Sequence, residues 1–538
     1  MRKLIAGVAA TLPLLSSGAS AQWSTDPGAN LAVATGGDEQ VLCKTVSGPA
    51  GETYISWFQL EGTGGGANYN LWLEVLDRAG ASMLPGGGPI RVGNRTQGTS
   101  LVDYDMIALR GGGVAIAASD TQNGSDLDVA VYKVTRDGQI EWTREASNNA
   151  WYEPDPRLAE LTDGGIAVVW PRLSSGAYGL HLQVFTPGGT PRLAADGVRL
   201  ATGATTEAPA FQEVVASDAG SLIVSWARDT RQFNSPRHVM ARKFDAAGAA
   251  LWGAGPITIS SFSVPIAHRP RLLSDGEGGA VLAWHDFRAG DRSQVFVQRI
   301  SGAGAIRWAA NGLAVSTSTT TSRFDPAIAF SPEAGEVFVA ALERSINQNQ
   351  RGLMAQKVAS DGTLAWSGSG VQLLPLDATD ELFPRVRSVA GGGMMVFCLD
   401  APASPLPGNR VIGFRLDGAG SSVWSQRPLL VSSNLSVKGR LPITSLPDGT
   451  VVLAWEDGRS GGTDIYAQAV NPAGELGRPA CPADVNGDGF LDFFDYSAFV
   501  ACFEGQGCEP GILADYNGDG FADFFDFADF SSDFEGGC

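Results

Sequence analysis

A short apolar run, opened by glycine and closed by tryptophan, recurs along the chain. Gly278-Gly-Ala-Val-Leu-Ala-Trp284-His-Asp286-Phe-Arg288 and Asp448-Gly-Thr-Val-Val-Leu-Ala-Trp455-Glu-Asp457-Gly-Arg459 both read as a turn, an apolar strand, a tryptophan and a polar hairpin. A second pattern follows some twenty residues on, as in Arg299-Ile-Ser-Gly-Ala-Gly304-Ala-Ile-Arg-Trp308 and Lys243-Phe-Asp-Ala-Ala-Gly248-Ala-Ala-Leu-Trp252, with related forms at Asp137-Gly138, Gly362 to Trp366 and Gly420 to Trp424. Placing the end of the apolar strand at Trp57, Ala118, Trp170, Trp226, Trp284, Ala341, Cys398 and Trp455 gives eight units of about 57 residues, a count that could still fall to seven.

Each unit predicts four short strands: a proline-led strand, the glycine-led apolar strand, a third such as Gln294 to Gln298, and a fourth after the Gly/Trp turn. The runs are β-branched, bounded by Gly, Pro, Asn and Asp, and show no sustained helical period. Four strands at this period mean the blades of an all-β propeller. The eighth unit stops near Gly477, before its fourth strand, while Asn30 to Thr35 resembles Asn311 to Thr317, a fourth strand lacking its blade. Residues 30–35 are therefore expected to complete the last blade and remove an open sheet edge. The Trp-x-Asp-x-Arg and Asp-Ile-Tyr-x-Gln motifs, Trp455 to Arg459 and Asp464 to Gln468, resemble those of repetitive bacterial propellers, which implies a fold and not an activity.

The last 58 residues depart from this pattern. Two copies of one acidic loop stand 31 residues apart, with predicted ligands Asp484, Asn486, Asp488, Phe490 (through its carbonyl), Asp492 and Asp495 in the first, and Asp515, Asn517, Asp519, Phe521 (carbonyl), Asp523 and Asp526 in the second. A calcium ion takes roughly 6 to 8 oxygens, and a loop supplies them from positions 1, 3, 5, 7, 9 and 12 with glycine at the sharp turn, here Gly489 and Gly520. Aspartate replaces the usual glutamate at position 12. Prolines at 479 and 482 forbid an entering helix, so each unit is a loop followed by one helix.

This arrangement resembles a type I dockerin, a bacterial calcium module that binds a cohesin domain. The resemblance implies two Ca²⁺ ions, a small α-helical EF-hand-like domain, and partner contact at loop positions 10 and 11, here Phe493, Phe494, Phe524 and Phe525. One phenylalanine of each pair is expected in the core with Phe499, Phe503, Phe530 and Phe534, leaving Phe494 and Phe525 for docking. Four cysteines crowd this tail and allow three pairings. Cys502 with Cys508 is favoured locally, and the termini-together symmetry of a dockerin implies Cys481 with Cys538. Cys43 and Cys398 are expected to be unpaired and buried.

Charge separates the two parts. The formal charge is −19, yet residues 481–538 carry 13 acids and no Lys or Arg, leaving 44 acids against 38 bases for residues 1–480. The body thus has no basic field of the kind that suggests nucleic acid. At the other end, Arg2 and Lys3, an apolar run from Leu4 to Leu15 too short for a membrane span, and Ala19-Ser-Ala21 read as a signal peptide, 1–21, with maturation at Gln22. The expected organisation is a signal peptide, a propeller over 22–478 and a dockerin-like domain over 479–538.

Catalytic signatures are nearly absent: there is no Gly-x-Ser-x-Gly, His-Glu-x-x-His, P-loop or Cys/His cluster. Of His181, His238, His268 and His285, the last stands out at a strand end. Asp286, Arg288, Asp457 and Arg459 recur at a fixed repeat position, which favours bracing of the hairpin over a ligand rim. Glu343 and Asp400 are acidic candidates at irregular positions. These features point to an exported scaffold or binding module, at the cell surface or outside the cell, attached through its calcium tail, with a polysaccharide or protein at a propeller mouth as the ligand class. The rival expectation is a secreted polysaccharide hydrolase or lyase carrying a docking module, whose paired carboxylates would be set by space and not by sequence spacing.

Overall fold

The computed structural model describes residues 23–536 apart from 37–38, 94, 98–100, 125, 174–177, 203–206, 230–236, 266–268, 291, 402–407, 478–482, 487–490, 509–513 and 517–520. The proposed signal peptide, the link to the tail, His268, Cys481 and Cys538 lie outside the described residues.

Eight antiparallel sheets form a β-propeller. Blades 1 to 7 span residues 40–93, 105–145, 157–199, 208–260, 271–314, 321–377 and 380–436, each a four-stranded meander in chain order. Blade 8 takes its inner and middle strands from residues 438–470. Its outermost strand is Leu31–Ala34, which pairs antiparallel with Asp464–Val470, Leu31 facing Ala467 and Ala32 facing Tyr466. The ring is closed by the start of the chain, as the sequence pattern predicts. The inner strand of blade 8 is split into Lys438–Gly439 and Ile443–Ser445 around Arg440, whose φ is +47°, and Pro442, which has no N–H to give to the ladder.

The eight sequence landmarks all fall in the second strand of their blade, but not at its end. Trp284 and Trp455 sit two residues before the ends of Ala280–Asp286 and Val451–Asp457. The strand continues because its polar last residue is itself buried and paired.

Apolar side chains collect between blades and not within them. Eight clusters occupy the eight inter-blade seams, and each joins two neighbours: Trp284 and Phe296 of blade 5 pack with Ile223, Val239 and Trp252 of blade 4. The last seam joins Trp23, Leu31 and Val33 to Ile55, Trp57 and Leu76 of blade 1 and to Val452, Ile465 and Ala467 of blade 8. Both faces of a blade are buried, so its middle strands are near-continuous apolar runs. Cys43 and Cys398 are each buried and unpaired, in blades 1 and 7.

The Gly/Trp signature latches one blade to the next. Trp252 of blade 4 donates from Nε1 to the Gly302 carbonyl of blade 5 (2.9 Å), and its ring covers Gly304, where a Cβ would come within 3.0 Å. Trp366 bonds Gly418 (3.1 Å) and Trp424 bonds Pro472 (3.0 Å) in the same way. Glycine is required at these turns twice over, by a φ near +84° at Gly304 and by the ring lying against it.

The tail carries two helices, α1 (Phe493–Phe503) and α2 (Phe524–Gly536), each directly following a loop. Phe499 and Phe530 stack at 4.0 Å between ring centroids and, with Ala483, form its buried core. Tyr496, Phe503, Tyr516, Phe527 and Phe534 surround them. A disulfide links Cys502 to Cys508, with Cα atoms 4.2 Å apart.

Candidate functional site

Three groups of polar residues stand out: the hairpins after the second strands, the mouth of the ring, and the tail loops. At the hairpin of blade 5, Trp284 Nε1 donates to Asp286 Oδ2 (3.0 Å), and Arg288 Nη2 donates to the same oxygen (2.6 Å) and to the Asn311 carbonyl (2.8 Å). The guanidinium lies 3.5 Å above the Phe296 ring centroid. Blade 8 repeats the arrangement. Trp455 Nε1 and Arg459 Nη2 both donate to Asp457 Oδ2 (2.8 and 2.6 Å), and Arg459 reaches Asn30 Oδ1 (3.1 Å), beside the closing strand. These four residues brace hairpins, and Asp286 and Asp457 are fully buried.

Glu343 and Asp400 are not irregular. They stand two residues after Ala341 and Cys398, the same register as Asp286 and Asp457, and they pair with Arg323 (2.7 Å) and Arg410 (2.5 Å). Loss of the tryptophan in blades 6 and 7 hid the register. In blades 3 and 4 the charges are exchanged: Arg172 takes the position and pairs with Glu153 (2.6 Å), and Arg228 pairs with Glu207 (3.4 Å). Where the acid is absent, the indole N–H loses its acceptor. Trp57 and Trp170, followed two residues on by Gln59 and Arg172, each bury an Nε1 with no hydrogen-bond partner.

Burial resists ionisation of Asp457, but hydrogen bonds from Arg459 and Ser436, the Lys438 ammonium and the Trp455 N–H outweigh it and hold the carboxyl below the usual range. Lys438, buried 3.3 Å from Asp457, is pushed down to about 8 by burial against the pull of that carboxylate. Glu381 lies beside Asp400 in the ladder and is shifted the other way. Burial pushes its carboxyl up to about 7, with Asp377 and Asp400 adding like charge, against a hydrogen bond from Thr379 Oγ1 (2.9 Å).

His285 is buried, its ring edge-on to Phe287 and Phe324, and its Nδ1 faces the Asp325 N–H (3.4 Å). Burial pushes the His181 imidazole down to about 4 beneath Trp170.

The mouth of the ring is the charged feature that sequence reading missed. The inner strands of the eight blades contact one another around the axis. In six of them one non-glycine residue adopts a left-handed backbone at the equivalent place: Leu42, Asp155, Phe211, Asp325, Phe383 and Arg440, with φ between 47° and 61°. Such a residue costs of order 1–3 kcal/mol, so its recurrence marks a built feature. It breaks the ladder register, as between Leu382 and Arg385, and re-aims the next side chains. On one side the charges interlock: Lys44, Arg157 and Arg440 reach Asp103 at 3.0, 2.8 and 3.4 Å, and Arg269 reaches Glu213 (3.2 Å) and also Asp155, two blades away. Burial resists the charge on Asp103, but Lys44, Arg157, Arg440 and Arg269 together hold it far below the usual range.

In the tail, Asp492 caps α1 by accepting from the Phe494 N–H (2.8 Å), and Asp495 accepts from the Asp492 N–H (2.9 Å) and the Asn486 N–H (3.3 Å). The second loop repeats this: Asp523 accepts from Phe525 N–H (2.8 Å) and Asp526 from Asp523 N–H (2.7 Å). Asp495 and Asp526 are fully buried in a segment without Lys or Arg. Of the predicted calcium ligands, Asp484, Asn486, Asp492, Asp495, Asp515, Phe521, Asp523 and Asp526 are described, while Asp488, Phe490, Asn517 and Asp519 lie outside the described residues. Among the described residues no group of three or more His, Cys, Asp or Glu is placed to hold a metal ion.

None of the four phenylalanines at loop positions 10 and 11 joins the core. Phe493, Phe494, Phe524 and Phe525 are 73, 68, 73 and 66% exposed, and Phe521 joins them at 72%. They begin their helices and fall outside the face that Tyr496, Phe499 and Phe503 turn toward Phe527 and Phe530.

No family model matches the chain, and no curated protein does. Among solved structures it is similar to the polysaccharide lyase Uly1 (11% identity over 71% of this chain and 92% of that one, TM-score 0.39). It is likewise similar to the β-propeller domain of the Trilobed protease from Pyrococcus furiosus (9%, 71% and 98%, TM-score 0.37) and to the Hadza microbial sialidase Hz136 (16%, 78% and 76%, TM-score 0.33). These likenesses concern the layout of strands, and at such values they carry no argument about chemistry. Among the described residues no helix is long and apolar enough to cross a membrane.

Proposed function

We propose that this is an exported protein whose β-propeller serves as a binding or scaffold module, held to a cohesin-like or other surface partner by a calcium-dependent tail. The observation that carries the reading is the tail's charge: Asp495 and Asp526 are fully buried with no Lys or Arg anywhere in residues 481–538. A buried carboxylate is hydrogen-bonded, paired, bound to a metal or neutralised, and a metal ion suits a segment so rich in acids and without a basic side chain. The donor set, aspartate and asparagine oxygens with one carbonyl per loop, suits a hard ion such as Ca²⁺. Asp484, Asn486, Asp492 and Asp495 would hold one ion and Asp515, Asp523, Asp526 and the Phe521 carbonyl the other, together with the ligands predicted at 488, 490, 517 and 519. Bound calcium would neutralise the loops and fix the helix starts that present the exposed phenylalanines. Calorimetric titration of the chelator-treated protein should give two Ca²⁺ per chain, and Asp495→Asn and Asp526→Asn should each remove one. No binding heat in the unsubstituted chain would overturn the reading.

A second reading, a secreted polysaccharide hydrolase or lyase, draws on Glu381. A carboxyl raised to about 7 near Asp400 is suited to proton transfer at neutral pH. Against it, Asp400 is tied to Arg410 and Glu381 is buried. Turnover of a polysaccharide panel by the full chain, abolished by Glu381→Gln, would replace the scaffold reading.

A further inference from the structure

The charges at the ring's mouth do not balance evenly around it. Over blades 1 to 4, Lys44 and Arg157 meet Asp103, Asp155 and Glu213, and Arg269 reaches in from blade 5 to the same acids. Over blades 5 to 8 stand Arg271, Arg385, Arg387 and Arg440. Arg271 faces Asp325 at 3.5 Å, and Arg440 shares Asp103 with its other partners and faces Glu456 at 3.6 Å. Arg385 and Arg387 have no carboxylate within 4 Å among the described residues. They donate only to carbonyls: Arg385 Nε to Leu441 (2.7 Å) and Nη1 to Pro384 (2.9 Å), Arg387 Nη1 to Val386 (3.2 Å) and Nη2 to Ile443.

Stapling the free edge of the next inner strand explains where these side chains lie, since an innermost strand leaves carbonyls unpaired. It does not explain their charge. A guanidinium bonded to carbonyls keeps its full positive charge; the positions equivalent to Arg385 hold Lys44, Arg157 and Arg271 in blades 1, 3 and 5, where Arg157 and Arg271 also reach a neighbouring carbonyl (3.4 and 3.3 Å) but face a carboxylate as well, and Ala327 and Pro442 in blades 6 and 8. Burial and the neighbouring Arg271, Arg387 and Arg440 push Arg385 down to about 9 despite Asp325, and burial pushes Arg387 down to about 10, so both remain charged at neutral pH. The backbone is bent to hold this arrangement: Phe383 and Arg440 are left-handed, and the ladder slips between Leu382 and Arg385. Arg271 and Arg440 keep 36% of their side-chain surface open.

We propose that the mouth of the propeller between blades 5 and 8 binds an oxyanion, a carboxylate or sulfate borne by an acidic ligand, through Arg385 with Arg271, Arg387 and Arg440. Guanidinium groups present forked donors that match both anions. Asp325 and Glu456 set its limits by competing for Arg271 and Arg440. This gives a ligand class to the binding module inferred above and rests on that reading only for its use, because the site lies in the propeller and involves no tail residue.

The test is calorimetry and thermal unfolding of the full chain with sodium sulfate or sodium glucuronate, against sodium chloride and neutral glucose at matched ionic strength. A saturable heat and rise in Tm with sulfate or glucuronate, absent with chloride and glucose, is expected, and preference between the two separates an inorganic from a sugar-borne anion. Arg385→Ala should weaken binding at least tenfold, and Arg385→Lys should weaken it less. Calcium stoichiometry should stay unchanged in both variants, which separates failure of this site from failure of the tail. No saturable response to either anion by the unsubstituted protein, or equal binding by a folded Arg385→Ala variant, would overturn the proposal.

Discussion

Trp23 donates from its indole N–H to the carbonyl of Arg78 (2.9 Å), and its ring covers Gly80 of blade 1, where an added Cβ would approach to 2.9 Å. This is the contact that Trp252 makes with Gly304 and Trp424 with Gly474, supplied across the seam where blade 8 meets blade 1. The segment before blade 1 thus closes the ring twice, by the Leu31–Ala34 ladder and by an inter-blade latch.

Trp23→Ala should therefore cost about 3–5 kcal/mol, the usual range for a large aromatic removed from a packed site. Deleting residues 22–36 should do more, exposing the edge of Asp464–Val470 and promoting self-association. Thermal unfolding and light scattering check both. A monomeric deletion variant with unchanged Tm would mean the ring holds without its last strand.

The hairpin ion pairs should differ in worth by their burial. Asp457 is fully buried and serves Trp455, Arg459, Ser436 and Lys438, so Asp457→Ala should cost roughly 3–5 kcal/mol by stranding an ammonium and a guanidinium. Arg410 leaves 43% of its side chain open to water but its partner Asp400 only 5%, so Arg410→Ala should cost about 1–3 kcal/mol, less than Asp457→Ala because one buried carboxylate loses one partner. Chemical denaturation of the two variants would measure the gap.

Glu381 predicts a pH dependence. Its folded value near 7 lies above the ordinary carboxyl value of 4.5, so the folded state holds this proton longer than the unfolded chain does. Its contribution is full below pH 4.5, falls as pH rises, and is lost above pH 7, a difference on the order of 3 kcal/mol. Asp377 and Asp400 beside it add like charge, and the Arg410 guanidinium on the far side is engaged by Asp400. Glu381→Gln should match the unsubstituted protein at pH 4.5 and exceed its Tm at pH 8. Parallel profiles across that range would refute the shift.

Strand order and ring closure were legible because they rest on local patterns: glycine turns, short β-branched apolar runs and a fourth strand missing at one end and present at the other. Glu343 and Asp400 were misread for the same reason, since Ala341 and Cys398 replace the tryptophan that marks their register. The mouth was not legible at all. Arg271 and Arg385 lie two units apart and each follows the proline that leads its inner strand, a signal that marks the strand but not its place around the ring, while Arg440 stands two positions earlier in its unit, at the left-handed turn shared with Asp325 and Phe383. In the tail, Phe499, Phe503, Phe530 and Phe534 form the core with their neighbours as expected, but one phenylalanine of each pair 493/494 and 524/525 does not join them, because helical spacing from Tyr496 to Phe499 and Phe503, and from Phe527 to Phe530 and Phe534, fills that core without either pair.

Phe493 and Phe494 at one loop and Phe524 and Phe525 at the other are adjacent exposed rings, and covering each ring would contribute roughly 1.5–3 kcal/mol. Phe494→Ser with Phe525→Ser should leave both proposed calcium sites intact, because neither side chain supplies a ligand oxygen and Asp492 and Asp523 cap the backbone N–H at 494 and 525 whatever the residue. Binding to an immobilised cohesin domain in Ca²⁺ should fall by two to three decades in the double variant, the factor that about 3–4 kcal/mol implies. Chelator should abolish binding in the unsubstituted protein. If the double variant binds calcium and cohesin as tightly as the parent, the phenylalanines are not the docking surface; if the parent binds no cohesin, the dockerin resemblance does not extend to its partner.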